Sequence, residues 1–277
     1  MNSKLFSAAA FAATTLLMPL AGHAFSNFTD NAANPAYASN YAGNGAGTPG
    51  FGAFNVTIIT VSNGFAGTFT GSAAGSEDGS TGALDTSGKS FGLYANGASG
   101  SVNDPSSTVA RAFNTGTSGL QTNGESFGLD FVTGYNDGAP GSASVALTNT
   151  GGTVGSFAYQ SNGANSGFFF NGTSTGLVYT SGILHLLYTV TSPTTYSFAS
   201  SGAVTFSGNG TFASPITGFQ VQQVNSASSA GNHDAFFNNL ALNAAPAVPE
   251  ASSSIGLGML LALGGLAVVA RKRSLKA

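Results

Sequence analysis

The chain has 277 residues, of which 42% are hydrophobic, 22 are phenylalanine and none is cysteine. Residues 25–247 carry two cations, Lys89 and Arg111, against nine anions, a net charge of −7 that excludes nucleic acid as a partner, since such binding depends on cations that neutralise phosphate. The absence of cysteine excludes disulfides, thiolate metal sites and a cysteine nucleophile, so this body must form its core by burial alone.

The N-terminal segment has the layout of a secretory signal peptide. Lys4 precedes an apolar stretch over 5–20, and Gly22 and Ala24 supply the small residues that a signal peptidase reads. We expect cleavage after Ala24, which makes the first 24 residues a signal peptide. An N-terminal membrane anchor is the alternative, and the break at Pro19 disfavours it.

The body, residues 25–243, has the pattern of an all-β domain. Residues 25–50 are turn-rich and are predicted to wrap an edge. From residue 51 onward, short apolar runs alternate with Gly, Asn and Ser turns, and helical periodicity is absent between the termini. The predicted strands are 54–61, 65–70, 91–95, 108–113, 125–133, 142–149, 154–160, 167–170, 183–190, 194–199, 203–206, 216–224 and 234–242. Strands and turns at this spacing predict an antiparallel β-sandwich, jelly-roll-like in architecture.

Two of these runs alternate clearly. Phe127, Leu129 and Phe131 share one face of a strand, and Leu184 and its inward neighbours lie opposite His185. The Gly-rich pattern over roughly 50–243 resembles the concanavalin-like lectin and glucanase sandwiches found on exported bacterial proteins. That resemblance implies the fold and no particular activity.

The C-terminal segment reads as a membrane anchor. Residues 244–254 form a linker rich in small residues and proline, residues 255–270 are an uncharged apolar run, and residues 271–277 are a basic tail. A full membrane span needs about 20 apolar residues, with a lower limit near 17, and the serines of 252–254 extend the run into the interface. Arg271, Lys272 and Arg273 are a stop-transfer signal that places the preceding residues outside the cytoplasm.

Three residues of the linker, Val248, Pro249 and Glu250, carry a second resemblance. Followed by the apolar run and the basic residues, they resemble the PEP-CTERM sorting signal of Gram-negative bacteria, and Ala251 stands where that family has its second proline. The resemblance implies processing near the motif by an exosortase. It also implies an inner-membrane-anchored precursor that reaches the cell surface or the extracellular space, in association with exopolysaccharide and biofilm.

The carboxylates and histidines do not predict an enzyme. Glycosidases need two carboxyls about 5 to 9.5 Å apart, whereas Glu125 and Asp130 are five residues apart and face opposite sides of their strand. His185 and His233 are the histidines of the mature body, and no Gly-x-Ser-x-Gly elbow leads into a helix. A glycoside hydrolase is the least favoured function.

Two kinds of ligand stay open at this point. Loop carboxylates at Asp78, Asp104 and Asp137 leave calcium as an alternative, although no loop has the spaced carboxylates of a calcium site, and no cofactor is predicted. Five tyrosines could offer ring faces to a carbohydrate: Tyr37, Tyr41, Tyr94, Tyr135 and Tyr159.

The interpretation favoured by these observations is an exported envelope or extracellular-matrix protein with a structural or adhesive role. Its expected partners are an exosortase-type enzyme, the membrane through the C-terminal helix, and exopolysaccharide. A lectin-like carbohydrate-binding module is the alternative.

Overall fold

The computed structural model describes residues 25–38, 40–45, 48–61, 64–75, 82–97, 104–115, 119–135, 141–161, 166–225 and 233–244. The predicted signal peptide, sorting motif, apolar run and basic tail lie outside these residues. Within the described ranges, no helix is long and apolar enough to cross a membrane, and a 3-10 turn at Pro35–Tyr37 is the helical element.

The described body is built from antiparallel strands. In chain order they are β1 (Ser26–Asp30), β2 (Gly50–Ile59), β3 (Phe65–Gly71), β4 (Ser90–Asn96), β5 (Ser106–Asn114), β6 (Ser126–Val132), β7 (Gly141–Asn149), β8 (Gly152–Ser161), β9 (Gly167–Phe170), β10 (Thr173–Ser174), β11 (Leu184–Ser192), β12 (Thr195–Gly202), β13 (Phe206–Thr211), β14 (Gly218–Val224) and β15 (Ala235–Ala244). β15 ends one residue beyond the predicted end of the domain.

The strands form two sheets. The eight-stranded sheet has the order β13-β12-β11-β6-β15-β4-β3, with β1 paired to β15, and the seven-stranded sheet has the order β10-β9-β8-β7-β14-β5-β2. Neighbouring strands are antiparallel throughout both sheets, and the chain passes repeatedly from one sheet to the other. The predicted all-β antiparallel sandwich is therefore confirmed.

The core between the sheets is largely aromatic. Phe127 of β6 stacks on Phe219 of β14 with ring centroids 4.6 Å apart, and Phe237 of β15 contacts Phe219 edge-on at 6.4 Å. The predicted alternation of β11 is confirmed, since Leu184, Leu186, Tyr188 and Val190 are buried while His185 is exposed. Burial of these rings stabilises a domain that has no disulfides.

A buried ion pair fastens the N-terminal segment to the sandwich. Arg111 of β5 is 2% exposed, and its Nη1 lies 2.6 Å from Oδ2 of Asp30 in β1. Its Nε donates to the carbonyl of Gly52 at 2.7 Å, and its guanidinium carbon lies 4.3 Å from the ring centroid of Phe54. Tyr37 also donates to Asp30, and burial is the main cause that raises the pKa of Tyr37 to about 12. One side chain of β5 thus holds three parts of the segment that precedes it.

Two strand predictions needed correction. The turn-rich segment 25–50 contains β1, because the backbone of Ser26–Asp30 pairs with the C-terminal half of β15. The predicted strand 203–206 is wrong except for its last residue, since β13 begins at Phe206 and runs through Ser-Gly-Asn-Gly to Thr211 beside β12. In both cases the partner strand supplies hydrogen bonds that the local sequence does not indicate.

Candidate functional site

The site is an aromatic cluster at one end of the sandwich. Tyr135 follows the last residues of β6, His233 and Asp234 precede β15, Tyr159 lies near the end of β8, and Tyr179 belongs to the segment between β10 and β11. We call these five residues the end cluster. Three separate connections and one strand end therefore meet at this end of the molecule.

Close backbone packing positions two of these connections. Gly134 has a φ of +64°, and a Cβ at this position would lie 2.6 Å from the carbonyl oxygen of Asp234 and 2.7 Å from that of His233. Gln223 of β14 donates to the His233 carbonyl and accepts from the amide of Ala235 at 3.3 Å. The backbone on both sides of Asp234 is thereby held by a buried amide side chain.

The rings of the end cluster contact one another in sequence. Tyr135 meets Tyr179 at a centroid distance of 5.8 Å and His233 at 5.4 Å, both edge-to-face, and Tyr179 meets Tyr159 at 5.0 Å. Tyr159 and His233 are buried, whereas Tyr135 is 40% exposed. The buried rings form a fixed base, and Tyr135 presents ring surface to solvent. Such a ring can pack against the C–H face of a sugar while hydroxyl and carboxyl groups beside it bind the sugar hydroxyls.

Asp234 follows His233 directly in the chain and is the carboxyl nearest in sequence to the ring cluster. Its side chain is partly buried, and desolvation raises its pKa to about 7. A carboxyl that titrates near neutral pH exists both as an acceptor and as an O–H donor there. It can therefore hydrogen-bond to a hydroxyl group in either protonation state.

The raised pKa makes stability depend on pH. Between pH 4 and pH 7 the unfolded state has lost the Asp234 proton while the folded state keeps it, so stability falls as pH rises through this window. We expect a decrease of about 1 to 2 kcal/mol in the free energy of unfolding, after discounting for partial exposure. Asp234→Asn should remove this decrease, as measured by denaturant unfolding at pH 4.5 and pH 8.

Asp104→Asn is the control for this measurement, because Asp104 is a partly buried carboxylate outside the end cluster that accepts from Nδ2 of Asn225 at 2.9 Å. It should leave the decrease attributed to Asp234 in place. An Asp234→Asn chain with the parental slope would contradict the assignment.

A polar row lies on the outer face of the eight-stranded sheet. His185 and Asp130 are directly opposite each other in β11 and β6, and Nδ1 of His185 lies 2.6 Å from Oδ1 of Asp130. Asn239, which sits in a bulge of β15 with a φ of +51°, donates to Asp130 at 2.8 Å and accepts from Thr86 at 3.0 Å. Sequence reasoning missed this row because His185 and Asp130 are 55 residues apart and meet only through strand register.

The tyrosine prediction was partly wrong. Tyr37, Tyr41 and Tyr159 are buried and offer no ring face to solvent, because they fill the core and, for Tyr159, the base of the end cluster. Tyr135 is exposed and Tyr94 is partly exposed. Tyr179 was not among the predicted residues. It lies in the segment between β10 and β11, which forms no strand, and its neighbours Val178 and Thr180 are exposed, so no buried strand marks it.

Glu125 and Asp130 have different surroundings in the structure. Glu125 is buried and accepts from the amides of Gln121 and Thr122, both at 2.6 Å, so it closes a loop. Asp130 belongs to the outer polar row. In the part of the chain that the structure describes, no three His, Asp or Glu side chains come together as a metal site requires, and Asp78 and Asp137 lie outside that part.

Comparison with known proteins found no matching family and no matching curated protein. Among solved structures, the chain is similar to the CBM2 module of the Lactobacillus casei BL23 phage J-1 evolved Dit, at 15% identity and a TM-score of 0.36, covering 51% of this chain and 71% of that one. A carbohydrate esterase from the Shiga toxin-encoding bacteriophage phi24B has 15% identity and a TM-score of 0.39, and the match covers 69% of this chain and 90% of the esterase. Winged bean acidic lectin has 10% identity and a TM-score of 0.36, and the match covers 79% of this chain and 99% of the lectin. Values this low carry no argument about function, which must come from the residues of the chain itself.

Proposed function

We propose that the chain is an exported protein of the cell envelope or extracellular matrix whose β-sandwich acts in adhesion by binding polysaccharide. The end cluster is its binding site, and the C-terminal segment sorts and anchors the precursor through an exosortase-type enzyme. The role is non-catalytic, since binding requires the ring surface and hydrogen-bonding groups present and no further chemistry.

The observation that carries the binding proposal is the exposed ring of Tyr135 on a buried aromatic base. Tyr179 and His233 fix the ring through edge-to-face contacts, so little side-chain freedom is lost when a sugar packs on it. Asp234 is the next residue after His233, and in this proposal its carboxyl is the hydrogen-bonding group that binds the sugar hydroxyls. A pre-positioned ring beside a polar group is the arrangement by which proteins fix the orientation of a small polar ligand.

The charge distribution supports the exported role. Lys4 and the basic residues from Arg271 onward flank the body, residues 25–247, which has a net charge of −7. An acidic body repels anionic polymers, so we expect the ligand to be a neutral polysaccharide.

Binding is tested by a glycan array and by pull-down with neutral exopolysaccharide, using the full-length chain in detergent. Tyr135→Ala should weaken binding about tenfold, which corresponds to about 1.4 kcal/mol for the lost ring contact. Tyr135→Phe should bind nearly as well as the parent, because it keeps the ring. A chain that binds no glycan would overturn the proposal.

The matched control is Tyr94→Ala. Tyr94 is a partly exposed tyrosine of β4 whose ring contacts Phe69 at 6.2 Å, outside the end cluster. It should leave glycan binding unchanged. If Tyr94→Ala and Tyr135→Ala reduced glycan affinity equally, binding would not occur at the end cluster.

A further inference from the structure

The edge of the seven-stranded sheet formed by β2 is unprotected in its C-terminal half. The N-terminal half of β2 is covered, because Phe54 exchanges backbone hydrogen bonds with the segment at Gly43 and Asn44, at 2.9 Å each. Beyond Phe54, β2 continues to Ile59 with β5 on one side only. Natural sheets guard such edges with lysine, proline or a bulge, because an open edge pairs with other strands.

The outward-pointing backbone groups of β2 follow from its register. Phe54 directs its N–H and C=O away from β5, and alternation along a strand gives Val56 and Ile58 the same direction. Neither residue has a backbone partner on that side within the part of the chain that the structure describes. Two donors and two acceptors therefore point outward in the spacing that another extended strand matches.

The side chains of this edge also favour association. Ile58 is 38% exposed and Ile59 is 52% exposed, which is unusual for isoleucine. No residue of β2 carries a charge, although the body has a net charge of −7. Two copies that approach along this edge thus bring apolar groups together where no like charges of β2 oppose each other.

We propose that the chain self-associates through β2 of two copies, paired antiparallel about a two-fold axis at Thr57. Val56 of one copy then faces Ile58 of the other, and the reciprocal pair is made by the same symmetry. Each pair exchanges two backbone hydrogen bonds, so all four outward groups are satisfied. The result is one continuous sheet across the dimer, with Ile59 of each copy covered beside Asn55 of the other. This inference does not depend on glycan binding.

The cysteine-free sequence permits a sharp test. In an antiparallel pair without direct hydrogen bonds, opposite Cα atoms are about 4.5 Å apart, within the range that a disulfide bridges. Thr57→Cys in the full-length chain should therefore give a disulfide-linked dimer on mild oxidation of intact membranes. Ser207→Cys is the matched control, because Ser207 is an exposed residue of β13 at the edge of the other sheet. We expect a dimer yield at least about fivefold above this control, since only the β2 edge is predicted to pair.

A second substitution separates strand pairing from mere proximity. Ile58→Pro removes an N–H that β5 does not use, so β2 should stay paired with β5 while the pairing between copies is lost. Combined with Thr57→Cys, it should reduce the dimer to the Ser207→Cys level at an unchanged melting temperature. Equal dimer yields from Thr57→Cys with and without Ile58→Pro would overturn the proposal. So would a Thr57→Cys chain that stays monomeric or links to a different protein.

Discussion

Replacing Arg111 by Met is expected to destabilise the fold by about 3 to 5 kcal/mol, because it leaves the buried carboxylate of Asp30 without its counter-charge. Tyr37 and the carbonyls of Gly45 and Gly52 lose their guanidinium contact at the same time. The loss is measured as the free energy of unfolding in urea at neutral pH. Limited proteolysis should also show faster cleavage within residues 30–54, the segment that Arg111 holds.

Lys89→Met is the control for Arg111→Met. It removes the other cation of the body by the same substitution, but Lys89 is only partly buried and forms no ion pair with any residue that the structure describes. Its effect should stay within about 0.5 kcal/mol. If Arg111→Met also cost less than about 1 kcal/mol, the N-terminal segment would not depend on this ion pair.

Glu250→Ala is expected to abolish processing of the C-terminus. Glu250 is the single charged residue between Asp234 and Arg271, so its carboxylate is the one charge by which a processing enzyme can recognise the linker. In a Gram-negative host with an exosortase-type enzyme, the parent chain should be cut near the motif and appear at the cell surface. The Glu250→Ala chain should keep its uncut mass and remain in the inner membrane, as measured by mass spectrometry of membrane and surface fractions.

Ser253→Ala provides the control, because it changes the spacer next to the motif without removing a charge. Its processing should match that of the parent chain. If Glu250→Ala left both the processed mass and the surface yield unchanged, the sorting proposal would be wrong and anchoring by the apolar run alone would remain.

The strand pattern could be predicted because it is local. In β6 and β11 every second residue is apolar, and a strand places such residues on one face whatever its partners are. The predicted strands therefore agree with the structure to within a few residues for nearly all of the body. Tyr135 was named only as one of five tyrosines that could offer a ring face, and no strand pattern distinguished it from the other four.

The glycines of β13 show where local patterns mislead. Gly208 and Gly210 suggest a turn, but a Cβ at Gly210 would overlap the ring of Tyr196, and one at Gly208 would approach the ring of Phe170 at 2.7 Å. These positions are glycine because aromatic rings from other strands cover them. The sequence shows that these positions lack a side chain, but it does not show which aromatic ring packs in that space.

Composition and alternation by themselves determined the fold class, the cysteine-free core and the asymmetry between basic ends and an acidic body. The tertiary structure decided which side chains meet: Asp30 with Arg111, Asp130 with His185, and Tyr135 with Tyr179 and His233. The physical reason is the distance along the sequence over which each feature is set. A strand's two-residue period is set by its own backbone, whereas these contacts depend on strand register and connections between residues far apart in the chain.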